Sequence, residues 1–177
     1  MPQVMTGDDI DRVIRRISHE ILETHRGADD LVLIGIHTRG VILARRLGDI
    51  IGELEGHAVP VGELDIGLYR DDRGTRDDIP SLRTSIPADI TGRRVVIVDD
   101  VLYTGRTVRA GLDALADIGR ASTTGLAVLV DRGHRELPIR ADYVGRNLPT
   151  SHEETVRVRL TEIDDTEGVF IERVAAA

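Results

Sequence analysis

The chain has 177 residues, 41% hydrophobic and 31% charged, with a formal net charge of −8, a length and balance that suit one domain with a real core. Cysteine is absent, which excludes disulfides, thiolate metal sites and a cysteine nucleophile; one Phe, three Tyr and no Trp disfavour a base-stacking platform. The negative charge weighs against indiscriminate nucleic-acid binding, though not against a local basic face.

In chain order, Ile10, Val13, Ile14, Ile17 and Ile21 recur at helical spacing and predict a helix over residues 6–24, with Thr6 as N-cap and Asp8 and Asp9 favourable in its first turn. Arg12, Arg15, Arg16 and His19 fall on the face opposite that stripe. Residues 31–36 read as the first buried strand, 41–54 as the helix after a Thr38-Arg39-Gly40 turn, and 59–69 as one strand. Residues 71–88 are polar, with Gly74, Pro80 and Pro87; a connection of that length is commonly a lid, so a flexible loop is expected there. Residues 95–99 read as the central strand, 106–119 as a helix ending at a glycine, and 123–130 as another strand. Residues 155–160 and 169–174 read as late strands outside the main sheet. Alternating strands and helices with buried apolar runs argue an α/β fold with a doubly wound, mostly parallel sheet. With no linker or internal repeat, 1–177 is expected to form a single domain. No apolar run reaches membrane-spanning length, and an N-terminus acidic by Asp8 is unlike a signal peptide, so a cytoplasmic location is expected.

The most informative stretch is Val95 to Leu112. Four β-branched apolar residues lead into Asp99 and Asp100, then a loop of Val101, Leu102, Tyr103, Thr104, Gly105, Arg106 and Thr107, then a helical pattern. Amides of residues 104–107 at a helix N-terminus can face a 5'-phosphate, with the Thr104 and Thr107 hydroxyls beside them. Gly105 permits a tight turn and close approach. Carboxylates at the carboxyl edge of such a sheet can accept the two hydroxyls of a ribose. Neither G-x-x-x-x-G-K-[ST] nor G-x-G-x-x-G is present. A plain strand and capped helix would explain Val95 to Val98, but not the acid pair together with Thr104, Gly105 and Thr107.

This segment resembles the 5-phosphoribosyl-1-pyrophosphate (PRPP) motif of type I phosphoribosyltransferases. With Gly35-Ile36-His37-Thr38-Arg39-Gly40, residues 61–72, residues 128–145 and Asn147-Leu148-Pro149-Thr150-Ser151, the chain is similar, from about residue 9 to 171, to the bacterial pyrimidine operon regulators. Those are RNA-binding proteins that are also uracil phosphoribosyltransferases. The resemblance implies a homodimer or larger assembly that binds pyrimidine-operon mRNA under UMP or UTP control. It also implies the reaction uracil plus PRPP giving UMP and pyrophosphate, with Mg²⁺ on the diphosphate and no metal held by the protein alone.

On the same resemblance, Arg39 and Gly40 form the pyrophosphate loop, Asp99 and Asp100 are the catalytic acids, and Val156 presents a main-chain edge to the base in a small hood. The hood is expected from the C-terminal strands, about 150–174, and the chain ends. Arg132 follows a strand and can reach base or diphosphate; Arg83 is a candidate lid residue. Purine-using relatives often carry a carboxylate where Tyr103 stands, so no general base is named. The RNA reading rests on Arg12, Arg15, Arg16 and His19, with His134, Arg135, Arg140 and Arg146 as contributors. Two other functions stay open: an RNA-binding regulator that uses the pocket only as a sensor, and transfer to another base such as hypoxanthine or orotate.

Overall fold

The computed structural model describes residues 1–70 and 84–174. Helix α1 (Gly7–His25) begins at a capping box: the Thr6 hydroxyl accepts from the Asp9 amide and the Asp9 carboxylate accepts from the Thr6 amide. Its apolar stripe, Ile10, Ile14, Ile17 and Ile21, is buried, as the spacing predicts. A short strand ahead of it, β1 (Gln3–Thr6), was not visible in the sequence pattern. Strand β2 (Leu31–Ile36) has all six residues buried and feeds α2 (Arg39–Glu55), which starts two residues earlier than the periodicity suggests.

The strand expected over 59–69 is shorter. β3 covers Val61–Leu64 and a 3₁₀ turn covers Gly67–Tyr69. Between them the Asp65 carboxylate accepts from the Gly67 amide at 2.9 Å, a local bond that competes with continued pairing. β4 (Arg94–Leu102), α3 (Arg106–Ile118) and β5 (Thr123–Asp131) follow, with Gly119 capping α3. β6 (Tyr143–Asn147) is a fifth main-sheet strand that the sequence reading missed. β7 (Glu154–Arg159) and β8 (Gly168–Arg173) stand apart, as expected.

The main sheet is parallel in the order β3-β2-β4-β5-β6. Consecutive residues of its strands face opposite layers. Val96 and Val98 join α1 and α2 in one apolar cluster; Val95 and Ile97 join α3 in the other. The second sheet is antiparallel, β1-β8-β7, so the hood combines the N-terminal strand with the C-terminal ones. Its Val156, Val158, Leu160 and Val169 belong to the α1–α2 cluster, which seats the hood on the main sheet.

Candidate functional site

Two loops leave the sheet where the strand order reverses. β3 pairs outside β2, and β5 outside β4, so the turn from β2 into α2 and the turn from β4 into α3 flank one crevice, the place where open α/β sheets bind ligands. β2 stops pairing with β4 at Gly35↔Val98, whereas β4 continues along β5 to Leu102↔Asp131. Asp99 and Asp100 therefore lie within β4, on the stretch that β2 has vacated, and not at the strand's last residue.

The β2–α2 turn is pressed against that stretch. A Cβ on Gly40 would lie 2.4 Å from the Val98 carbonyl oxygen and 3.2 Å from Asp99 Cα, and one on Gly35 would lie 2.4 Å from Gly40 O and Val41 Cα. Only glycine lets the helix start this close to the acid pair. The His37–Thr38 peptide bond is cis, and His37 Nε2 lies 3.1 Å from the Glu63 carboxylate. Arg39 reaches the hood, its NH2 3.0 Å from both carboxylate oxygens of Asp164.

Burial raises Asp99 well above the usual carboxylate range, and the neighbouring Asp100 charge raises it further. Burial also raises Asp100, opposed by hydrogen bonds and by the Arg39 charge. Asp99 accepts from the Asp100 amide and Asp100 from the Val101 amide, both at 2.9 Å. Asp100 faces a cleft of about 420 Å³ shared with Arg39, Val156, Arg159 and Asp164.

The β4–α3 turn forms a second hollow, of about 280 Å³, lined by residues 101–108 with Arg70 and Glu136. Gly105 takes φ +92° as the α3 cap, and a Cβ there would lie 3.3 Å from Ile139 Cβ. Glu136 and Leu137 donate their amides to Thr104 O, and Arg106 Nε lies 2.7 Å from the Glu136 carboxylate, so the loop after β5 braces this turn. The Arg106 amide rests 3.3 Å from Thr104 Oγ1.

Arg132 is buried. Its Nε donates to Thr150 Oγ1 and its NH2 to the carbonyls of Ser151 and Glu154, while its guanidinium carbon sits 3.9 Å from the Tyr103 ring centre. It ties the hood entrance to the β4–α3 turn. Arg83 lies outside the described residues.

Arg12, Arg15, Arg16 and His19 are all exposed on α1. Arg12 pairs with Asp9, and Arg16 with Glu20. Arg16 also donates to the Val144 and Gly145 carbonyls, which brings exposed Arg146 of β6 beside this face. His134 and Arg135 do not join it. Arg135 donates to Tyr103 O, Ile139 O and the Asp131 carboxylate, and the His134 ring packs between Tyr103 and His152. Both belong to the rim of the β4–α3 turn.

Asp164, Arg46 and Glu162, which fasten the hood to α2, were not singled out in the sequence. They stand 116 and 125 positions apart from their partners, and no local pattern signals such pairs.

Comparison with known proteins agrees with this geometry. Residues 4–162 match the phosphoribosyl transferase domain. A crystal structure of the hypoxanthine phosphoribosyltransferase of Trypanosoma cruzi superposes with a TM-score of 0.73 at 18% identity, covering 98% of this chain and 97% of that one. A hypoxanthine-guanine phosphoribosyltransferase from Bacillus anthracis gives 0.72 at 17%, covering 98% of each chain; these likenesses carry the fold alone. The fold and its crevice are those of a type I phosphoribosyltransferase. Relatives named bifunctional protein PyrR are much nearer in sequence. That of Deinococcus radiodurans is 58% identical over 94% of this chain and 91% of its own length, and that of Bacillus subtilis 56% over 95% and 94%. The chain belongs to the bifunctional PyrR family, pyrimidine operon regulators with uracil phosphoribosyltransferase activity.

Proposed function

We propose that this chain transfers the phosphoribosyl group of PRPP to uracil at the crevice between β2 and β4, and that a uridine nucleotide in the same crevice governs binding of pyrimidine-operon mRNA. The observation that carries the site is the close approach of Gly40 to Val98 and Asp99, which sets the β2–α2 turn against two carboxylates and supports reading that turn as the one that binds pyrophosphate. In the reaction the C1–O bond to pyrophosphate breaks and its electron pair leaves with pyrophosphate, a C1–N1 bond to uracil forms, and N1 releases its proton to water. Amides and hydroxyls of residues 104–107 hold the 5'-phosphate. Asp99 and Asp100 accept the ribose hydroxyls and favour positive charge on the sugar. Arg39 and the Gly40 turn hold the leaving diphosphate, and Val156 offers its main chain to the base. Arg132 acts through the hood segment it braces.

Among the described residues no cluster of three or more ligating side chains can hold a metal. One or two carboxylates beside substrate phosphates suit Mg²⁺, which keeps several waters, and Asp99 and Asp100 supply that chemistry. When bound with PRPP, Mg²⁺ neutralises diphosphate charge. Among the described residues no helix is long and apolar enough to cross a membrane. A cytoplasmic homodimer or larger assembly, responding to UMP or UTP, belongs to this reading.

Steady-state UMP formation tests the site. Asp100→Asn is expected to lower kcat/KM by about 100-fold or more, while specific binding of pyrimidine-leader RNA survives. Unchanged turnover would remove the site. In a gel shift, UMP is expected to alter RNA affinity, and joint substitution of Arg15, Arg16 and His19 by alanine is expected to abolish the specific shift. No specific shift at low salt would remove the regulatory half.

A further inference from the structure

The turn between β7 and β8 is fastened to α2 more firmly than a loop needs. Arg46 forms a two-point fork with Glu162, 2.8 Å from Nε to Oε1 and 2.7 Å from NH2 to Oε2, and its NH1 also reaches Glu167 at 2.5 Å. Fork geometry of this kind fixes orientation as well as distance. Within the turn, the Asp164 carboxylate accepts from the Leu160 amide at 2.9 Å and the Asp164 amide donates to Leu160 O at 2.8 Å; Leu160 itself is fully buried. Asp164 is thus set in place by contacts that do not involve Arg39. The Leu160 hydrogen bond, with the Arg39 charge, also keeps it below the usual carboxylate range and therefore anionic.

Arg39 stands seven residues before Arg46 on α2, two turns of helix, so both side chains face the hood. Its contact with Asp164 differs from the fork. A single nitrogen, NH2, lies 3.0 Å from both carboxylate oxygens, and Nε is buried with no hydrogen-bond partner among the described residues. A buried donor left unpaired is disfavoured unless some partner arrives. This donor belongs to a guanidinium that shares a cleft with Asp100 and Val156.

We infer that Asp164 is a positioning residue for diphosphate recognition: anchored by Leu160 and by the Arg46–Glu162 fork, it holds the Arg39 guanidinium by one nitrogen and leaves the remaining donors for the pyrophosphate group of PRPP. The inference rests on the proposed role of Arg39. A long side chain that would otherwise sample many rotamers is fixed before substrate arrives, and the diphosphate meets a donor already aimed.

The test is a double-substitution cycle on the full chain, with initial rates against PRPP and against uracil. Asp164→Asn keeps an oxygen for the Leu160 amide and loses the charge that orients Arg39. It is expected to raise KM for PRPP by about tenfold, to leave KM for uracil and the melting temperature unchanged, and to have no further effect in an Arg39→Ala background. Glu162→Gln, which weakens the fork that anchors the same turn, is expected to lower the melting temperature and to raise KM for PRPP by a smaller factor than Asp164→Asn, with KM for uracil unchanged. If Arg39→Ala leaves PRPP kinetics untouched, the proposed pyrophosphate turn itself fails. If Arg39→Ala impairs PRPP use while Asp164→Asn is silent, tightens PRPP binding, or adds its full effect to that of Arg39→Ala, the turn stands and the role of Asp164 is overturned.

Discussion

Asp99 and Asp100 are neighbours in a buried strand, and neither forms an ion pair among the described residues. Asp99 is only 6% exposed, and burial and the adjacent charge raise its pKa. Its folded-state pKa therefore lies above its unfolded one, and the folded protein holds an extra proton between the two. Stability falls as pH rises through that window. Asn has no proton to lose and can still accept from the Asp100 amide, so Asp99→Asn is expected to raise the melting temperature by about 3 °C at pH 8. The gain should shrink as pH is lowered toward the ordinary carboxylate range, and UMP formation should be lost throughout. Thermal melts across pH check the slope; a gain that grows on acidification would contradict it. Gly40→Ala makes the opposite demand. Its Cβ would sit 2.4 Å from a backbone oxygen and force α2 away from the acids, at about 1–3 kcal/mol of stability, read by denaturant unfolding. Gly40 and the acid pair were legible because each sits in a motif of consecutive residues. Asp164 was not, because its partner lies across the fold.

Elements were legible in proportion to how much of their burial is periodic within themselves. α1 shows a full apolar stripe and both halves of its capping box; removing the hydroxyl by Thr6→Ala is expected to lower stability by about 1 kcal/mol, measured by urea unfolding. β2, α3 and β5 are likewise written in runs of apolar residues bounded by turns or a glycine. β6 is not. Its five residues carry a glycine at 145 and two exposed positions, Arg146 and Asn147, and only pairing with β5 makes it a strand. That glycine is needed for contact: a Cβ would lie 2.3 Å from Leu129 O and 2.5 Å from Val13 Cγ1, so the apparent strand-breaker is what lets α1 close on the sheet. β1 is four residues long and owes its conformation to β8 at the other end of the chain. Residues 59–69 read as one strand because Val59, Val61, Leu64, Ile66 and Leu68 recur through them. The turn that ends β3 is set by side-chain bonds around Asp65, whose carboxylate accepts from the Gly67 amide and whose amide donates to the Thr84 hydroxyl, and no periodicity signals them.

At the scale of the whole molecule, a chain of net charge −8 must bind RNA, on this proposal, through a local face that overcomes a repulsive surround. α1 supplies that face and β6 extends it with Arg146. The four α1 groups are not equivalent. Arg16 is anchored to β6 carbonyls and Arg12 to Asp9, whereas Arg15 is exposed and has no ion pair among the described residues, so replacing it disturbs nothing else in the fold. Each phosphate contact releases condensed counterions, and its loss flattens the dependence of log K on log salt by about 0.7–0.9. Arg15→Ala is therefore expected to weaken leader-RNA binding most at low salt and to reduce that slope by about one contact's worth. Arg16→Ala should do the same and also lower the melting temperature, since it frees α1 from β6. Titrations at several salt concentrations separate the two effects. An unchanged slope in Arg15→Ala would place the RNA on another surface, even with the nucleotide crevice fully functional.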